Sequence, residues 1–248
     1  MNRKWVFAAL LSAAVMSTCK KSESGDGSLG YRIEATNLSS SFSTTTKNTS
    51  EVSVDVTTPG ITWASGTVTA GKISFEAKKG TNKEAVRMEL VNPPAIDIFG
   101  LNTLLGNVQL PQGVYKEVEL KILLKRSEST PTLLLEGKFK NGQAVETPLQ
   151  FKLNDEVNLK IEHEDISATG VDFVSVINLE LDKLFSQVTP AELNSATRTN
   201  GVIVISSTSN TALYTKVKTA LASCPKGKLK DKKTDEADEK KRESERKK

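Results

Sequence analysis

The densest run of side chains able to do chemistry is Glu162-His163-Glu164-Asp165, with Asp155-Glu156 ahead of it and Asp172 behind. Carboxylates around an imidazole offer the hard oxygen donors that a divalent cation such as calcium takes. His163, however, continues the apolar series Val157, Leu159, Ile161 at period two, which places it at a half-buried strand end. The Asp-x-Asp-x-Asp-Gly spacing of an EF-hand loop is absent. Glu162 and Glu164 share a strand face, but so do Glu117 and Glu119, and nothing in the sequence sets either pair across a cleft as glycoside hydrolysis requires. His163 is the only histidine, and no Gly-x-Ser-x-Gly accompanies it. Gly71-Lys72 lacks the other glycine and the hydroxyl of a phosphate loop. Aromatic platforms for a sugar would be Trp63 or Tyr31, and the surroundings of Trp63 read as core. The sequence therefore assigns no catalytic residue, no metal ligand and no cofactor. A carbohydrate-active or divalent-metal-dependent sugar-binding role through Glu162–Asp165 stands as the alternative reading.

The chemistry the sequence does specify lies at its start. Met1-Asn2-Arg3-Lys4 is a basic segment, Trp5–Met16 an apolar one of about a dozen residues, and Ser17-Thr18 are small, the parts of a secretory signal. Met16-Ser17-Thr18-Cys19 resembles a bacterial lipobox, with Thr18 where Gly, Ala or Ser is usual. The resemblance implies a diacylglycerol on Cys19, cleavage before it, and palmitate-type chains as the anchor. Two or three such chains, at ~0.8 kcal/mol per buried methylene, hold a protein on a membrane firmly. Lys20 in place of aspartate implies, by the enterobacterial sorting rule, the outer membrane, on its periplasmic or its cell-surface face. An acylated Cys19 leaves Cys224 unpaired.

Charge narrows the partners. The net charge is +4, from 34 basic and 30 acidic residues. Lys226–Lys248 holds 11 of the bases and 7 of the acids, and Cys19–Pro225 carries 21 against 23. The domain thus lacks a basic patch of its own, which argues against nucleic acid as a partner.

The elements that must position these groups alternate. Val52/Val54/Val56, Ile73/Phe75/Ala77, Val86/Met88/Leu90, Val118/Leu120/Ile122/Leu124 and Val157/Leu159/Ile161 each interleave with polar residues, the pattern of half-buried antiparallel strands. Asn141-Gly142 favours a two-residue type I′ hairpin. That register would turn Leu133, Leu135 and Phe139 against Ala144, Glu146 and Pro148. One added residue pairs Phe139 with Val145, Leu135 with Leu149 and Leu133 with Phe151. Core burial should win, which predicts a three-residue loop or a bulge between Asn141 and Pro148. Beyond Val171 helical spacing enters. Leu181, Leu184, Phe185 and Val188 form one stripe, and Thr189-Pro190-Ala191-Glu192 is a capping box closed at Asn200-Gly201. Val202–Ile205 reads as an interior strand. Asn210 caps a final helix with Leu213, Tyr214, Val217, Ala220 and Leu221 on one stripe. The last residues have almost no apolar content and should stay disordered, or at most form a solvated helix with pairs such as Glu236/Lys240 and Glu243/Lys247.

Ala95-Ile96-Asp97-Ile98-Phe99 followed by Val108-Gln109-Leu110-Pro111-Gln112-Gly113-Val114-Tyr115-Lys116-Glu117-Val118-Glu119-Leu120 resembles a family of Bacteroidetes-type envelope lipoprotein domains of unknown function. These carry a V-D-L strand and then L-P-x-G-x-Y leading into the next strand. The resemblance spans Tyr31–Leu181 and implies a prealbumin- or immunoglobulin-like β-sandwich. The family has no established catalytic residues, so none carries over. The expected organisation is a lipoprotein signal peptide over 1–18, a flexible tether over 19–30, a mainly β antiparallel sandwich with short C-terminal helices over 31–224, and a charged disordered tail over 225–248. The expected function is a monomeric, non-enzymatic, lipid-anchored envelope module that binds, adheres or scaffolds, with an envelope glycan or protein as partner.

Overall fold

The computed structural model describes residues 25–42, 57–80, 85–100, 104–125, 130–221 and 224–246. The expected signal segment, Cys19, the first part of the expected tether and the strand expected at Val52/Val54/Val56 lie outside the described residues. In chain order the elements are β1 (Gly27–Thr36), β2 (Ser39–Ser41), β3 (Gly60–Val68), β4 (Ala70–Lys79), β5 (Ala85–Val91), β6 (Ile96–Asp97), β7 (Gly106–Leu110) and β8 (Gly113–Leu124). They continue with β9 (Leu133–Lys140), β10 (Glu146–Leu153), β11 (Val157–Ala168), β12 (Phe173–Glu180), α1 (Leu181–Leu184) and α2 (Pro190–Ser195). Last come β13 (Arg198–Thr199), β14 (Val202–Ile205), α3 (Thr211–Leu221), β15 (Pro225–Asp231) and α4 (Lys232–Arg246).

The fold is mainly β, with its helices toward the C-terminal part of the chain. Three sheets run in the orders β15-β12-β1-β7, β13-β14-β10-β9-β3-β2 (with β6 beside β3) and β11-β8-β4-β5. The last is antiparallel throughout, and its inward rows are the alternating ones: Ile73, Phe75 and Ala77 lie opposite Ile122, Leu120 and Val118. The other two sheets depart from the antiparallel expectation. β1 pairs parallel with β12, and β10 parallel with β14. Both β1 and β12 are buried on both faces, as strands reached by long crossovers usually are. One apolar cluster draws residues from all three sheets and from α1, α2 and α3.

The two Asn-Gly pairs behave differently. At Asn141-Gly142 the strands pair as Lys140/Glu146 and Leu135/Phe151, and Asn141 N–H donates to Val145 O at 3.0 Å. A three-residue loop, Gly142–Ala144, is therefore present, one position further along each strand than the anticipated register. Leu133, Leu135 and Phe139 still face Leu153, Phe151 and Thr147 on the buried side. The Asn141 carboxamide oxygen accepts from the backbone N–H of Gln143 and of Val145, which holds the loop. Asn200-Gly201, expected to close α2, instead forms a two-residue turn between β13 and β14, with φ of 52° and 81°. No core residue opposes that turn type there, because Arg198 and Thr199 are exposed.

The capping box of α2 forms as expected, with Thr189 and Glu192 exchanging hydrogen bonds. Asn210 precedes α3, but with φ 51° it turns its amide toward Thr197 and Val204 rather than over the helix end. Two boundaries move. Gly27–Gly30, part of the expected tether, opens β1. Gly27 is needed there because a Cβ would lie 2.4 Å from the Val171 carbonyl oxygen. The segment expected to be a disordered tail over 225–248 supplies β15, paired antiparallel with β12, and the helix α4. β15 is held by its ladder with β12 and by Leu229 against the core, and α4 by the buried charges of Asp235 and Glu239 on Arg32, which composition alone does not reveal.

Candidate functional site

β8 and β11 set Glu119 opposite Glu162 and Glu117 opposite Glu164, while β4 sets Glu76 opposite Glu119 and Lys78 opposite Glu117. Period two puts all of these on the outer face of the antiparallel sheet. Carboxylate oxygens of Glu117, Glu119 and Glu162 lie within 4.8 Å of one another. Such oxygens would suit a hard cation, but ammonium groups already stand among them. Lys160 Nζ is 2.7 Å from Glu119 and 2.5 Å from Glu162, Lys78 is 2.9 Å from Glu117, and Lys121 also pairs with Glu119. Burial pushes the Glu119 carboxyl up, yet the hydrogen bonds from Lys121 and Lys160 outweigh it and hold the group below the usual range. Hydrogen bonds to Glu119 and Glu162 raise Lys160. Arg87 completes the row on Glu76 at 2.6 Å. The shallow groove here, about 490 Å³, is lined by paired charges together with Ser74, Phe75 and Met88.

The run that stood out in the sequence is split by the sheet. Glu162 and Glu164 point outward, while His163 points inward, half-buried, with Nε2 3.1 Å from Ser175 Oγ. Burial lowers the His163 pKa, so the ring is neutral near pH 7. Asp165 adopts φ 53° and pairs with Lys116. Asp155 accepts from Tyr214 and lies 2.8 Å from Lys218, tying the end of β10 to α3. Asp172 accepts from the backbone and hydroxyl of Ser28, fastening the start of β1. Asp155, Asp165 and Asp172 do not converge, and each fastens one segment of the chain to another. Both proposed sugar platforms are also internal: Trp63 packs on Phe185 at 4.9 Å, and Tyr31 donates to the Met88 sulfur.

The segment Ala95–Phe99 links the sheets. Ile98 O accepts from Ala35 N and Ile98 N donates to Gly66 O, joining β1 to β3. Pro111–Gly113 then carries the chain from β7 to β8, and buried Tyr115 donates to Pro111 O at 2.7 Å, pinning that turn.

A cluster that the sequence reading missed lies between α4 and β1. Arg32, 3% exposed, forks onto both carboxylate oxygens of Asp235 at 2.6 and 2.9 Å and reaches Glu239 at 2.5 Å. Glu34 lies 3.4 Å from Arg32 and accepts from Arg242 at 3.0 Å. Lys230 joins Asp238 at 2.8 Å. Burial raises the Glu239 carboxyl above its ordinary value, with Arg32 opposing and Asp235 and Glu34 adding to the rise. Beneath the helix lie Val174 and Val176, and Asn178, whose amide has no partner among the described residues. The signal was present: Asp235, Glu239 and Arg242 recur at i, i+4, i+7, one helical stripe.

Cys224 is buried, its thiol donating to Glu180 O, and burial pushes its pKa up to about 12. In the Cys19→Ser protein it should resist a thiol reagent at pH 8 and react only on unfolding, within the time global unfolding takes. Rapid stoichiometric labelling of the native protein would show the thiol to be accessible.

Among the described residues no helix is long and apolar enough to cross a membrane. Compared with protein-family models, curated proteins and solved structures, the chain matches none.

Proposed function

We propose that the chain is a lipid-anchored envelope protein whose folded part is a non-catalytic binding, adhesion or scaffold module. In this reading the three sheets are layers of one β-sandwich of prealbumin- or immunoglobulin-like kind, acting as a monomer. Cys19 carries the acyl chains, and the outer membrane is the site, with an envelope glycan or protein as partner. The observation that carries the reading is Met16-Ser17-Thr18-Cys19 at the end of a basic-then-apolar leader, a few residues before β1 begins at Gly27. The engagement of His163, Asp155, Asp172 and the Glu117/Glu119/Glu162 row in structural pairs supports a non-catalytic role.

Mass spectrometry and palmitate labelling test it together. The processed protein should begin at an acylated Cys19, and Cys19→Ala should abolish incorporation of the label. A bare Cys19, an uncut leader, or labelling that survives the substitution would end the proposal.

A further inference from the structure

Lys226–Lys248 looks like mixed charge in the sequence, but folding sorts it. Asp235 and Glu239 turn inward onto Arg32, Asp238 is taken by Lys230, and Arg242 by Glu34. At 100° per residue the stripe of α4 opposite Asp235, Glu239 and Arg242 consists of Lys233, Ala237, Lys240, Lys241 and Ser244. Each of these five residues is exposed, and none is acidic. None of the three lysines has an ion-pair partner among the described side chains, and Glu236, on the flank, does not pair with Lys240. The helix runs alongside β1 from its start: Lys232 N–H donates to Asp172 O, whose side chain holds Ser28, and Arg242 reaches Glu34 further on.

We propose that this outward lysine stripe of α4 rests on the phosphate-bearing headgroups of the membrane in which Cys19 is anchored. The inference rests on the anchoring reading and names the surface the domain faces. The geometry permits it. Five residues lie between Cys19 and Gly25, so six Cα–Cα steps separate them, a span of at most ~21 Å when extended. The helix that must lie between sheet and membrane is ~10–12 Å thick. The acyl chains already hold the protein on the membrane, so a basic face has only to orient the domain, each lysine near an anionic surface adding about 1 kcal/mol. At the end of the domain Asp172 and Asp231 stand beside Lys232 and Lys233, a mixed surface, whereas the outward flank of α4 presents lysines without acids.

The test uses the chain from Cys19 to Lys248 with Cys19→Ser, which removes the anchor and so keeps this outcome separate from the acylation result. Its partition is measured onto vesicles of equal phosphatidylglycerol and phosphatidylcholine, and onto phosphatidylcholine alone. The expected result is binding to the anionic vesicles only, weakening as NaCl rises. Each lysine near the surface contributes about a fivefold effect. Lys233→Gln, Lys240→Gln and Lys241→Gln together should thus lower binding about a hundredfold, and Glu236→Lys should raise it. Lys138→Gln, Lys140→Gln and Lys152→Gln, on another sheet, should leave it unaltered. Equal binding to both vesicles, or no binding, overturns the proposal. So does an equal loss with the two lysine triplets, or a Glu236→Lys variant that binds no better.

Discussion

Arg32→Met is expected to destabilise the protein by about 3–5 kcal/mol at neutral pH, the usual cost of stripping one partner from a buried ion cluster. The side chain is 3% exposed and supplies the central positive charge to Asp235, Glu239 and Glu34. Without it three carboxylates are left close together and out of water, with Arg242 and Lys230 only at the edges. The folded variant should therefore hold protons that the unfolded chain releases. The Glu239 carboxyl, already raised by burial in the parent, loses the opposing charge of Arg32 and rises further, so the variant's stability falls as pH rises toward the folded value and recovers as pH drops. Urea unfolding at pH 7.5 and at pH 5 checks this: the gap between variant and parent should narrow at the lower pH. A gap of the same size at both would refute the account. Adding Asp235→Leu and Glu239→Leu should restore much of the loss, since apolar groups of similar volume need no counter-charge.

Phe185→Ala should cost a similar amount, about 3–5 kcal/mol, as buried aromatic truncations do. Phe185 follows α1 and is the hinge of an aromatic chain: 4.9 Å from Trp63, 5.9 Å from Phe151 in edge-on contact, with Phe151 in turn 6.1 Å from Tyr214 of α3. Its removal opens a cavity between the six-strand row and the helices. Trp63 should report it directly by a red-shifted emission, measured on a chain beginning at Cys19, from which the other tryptophan, Trp5, is absent. A loss below about 1 kcal/mol with unshifted emission would mean that the helices pack on the sheet by other contacts.

The strands with clean alternation were legible because one face of each is buried. Val118, Leu120, Ile122 and Leu124 all turn inward, as their spacing requires. So was the helical stripe of Leu213, Tyr214, Val217, Ala220 and Leu221. Asn141-Gly142 and Asn200-Gly201 show where local preference yields. The first sits between strands whose large side chains face the core, so burial chose the loop; the second joins an exposed two-residue strand, and the turn preference decided. β1 and α4 were not legible by hydropathy. Arg32 and Glu34 alternate with Tyr31, Ile33 and Ala35 like solvent-facing residues, and only the distant Asp235 and Glu239 make them interior. For the candidate site, composition located the acids but not the partners. The lysines that neutralise Glu119 come from β8 itself and from β11, a cross-strand arrangement fixed by register and invisible in either segment alone.

The neighbours of β1 have a consequence for how the molecule is made. Arg32 waits for Asp235, 203 positions later, and the parallel partner β12 comes 144 positions after Leu29 at Phe173. While the polypeptide is still emerging, that sheet has no way to close, and loops of this length make its assembly slow compared with the hairpin of β9 and β10. Completion of the sheet and its buried charges waits for α4, so topology alone delays the last step of maturation until that helix is made.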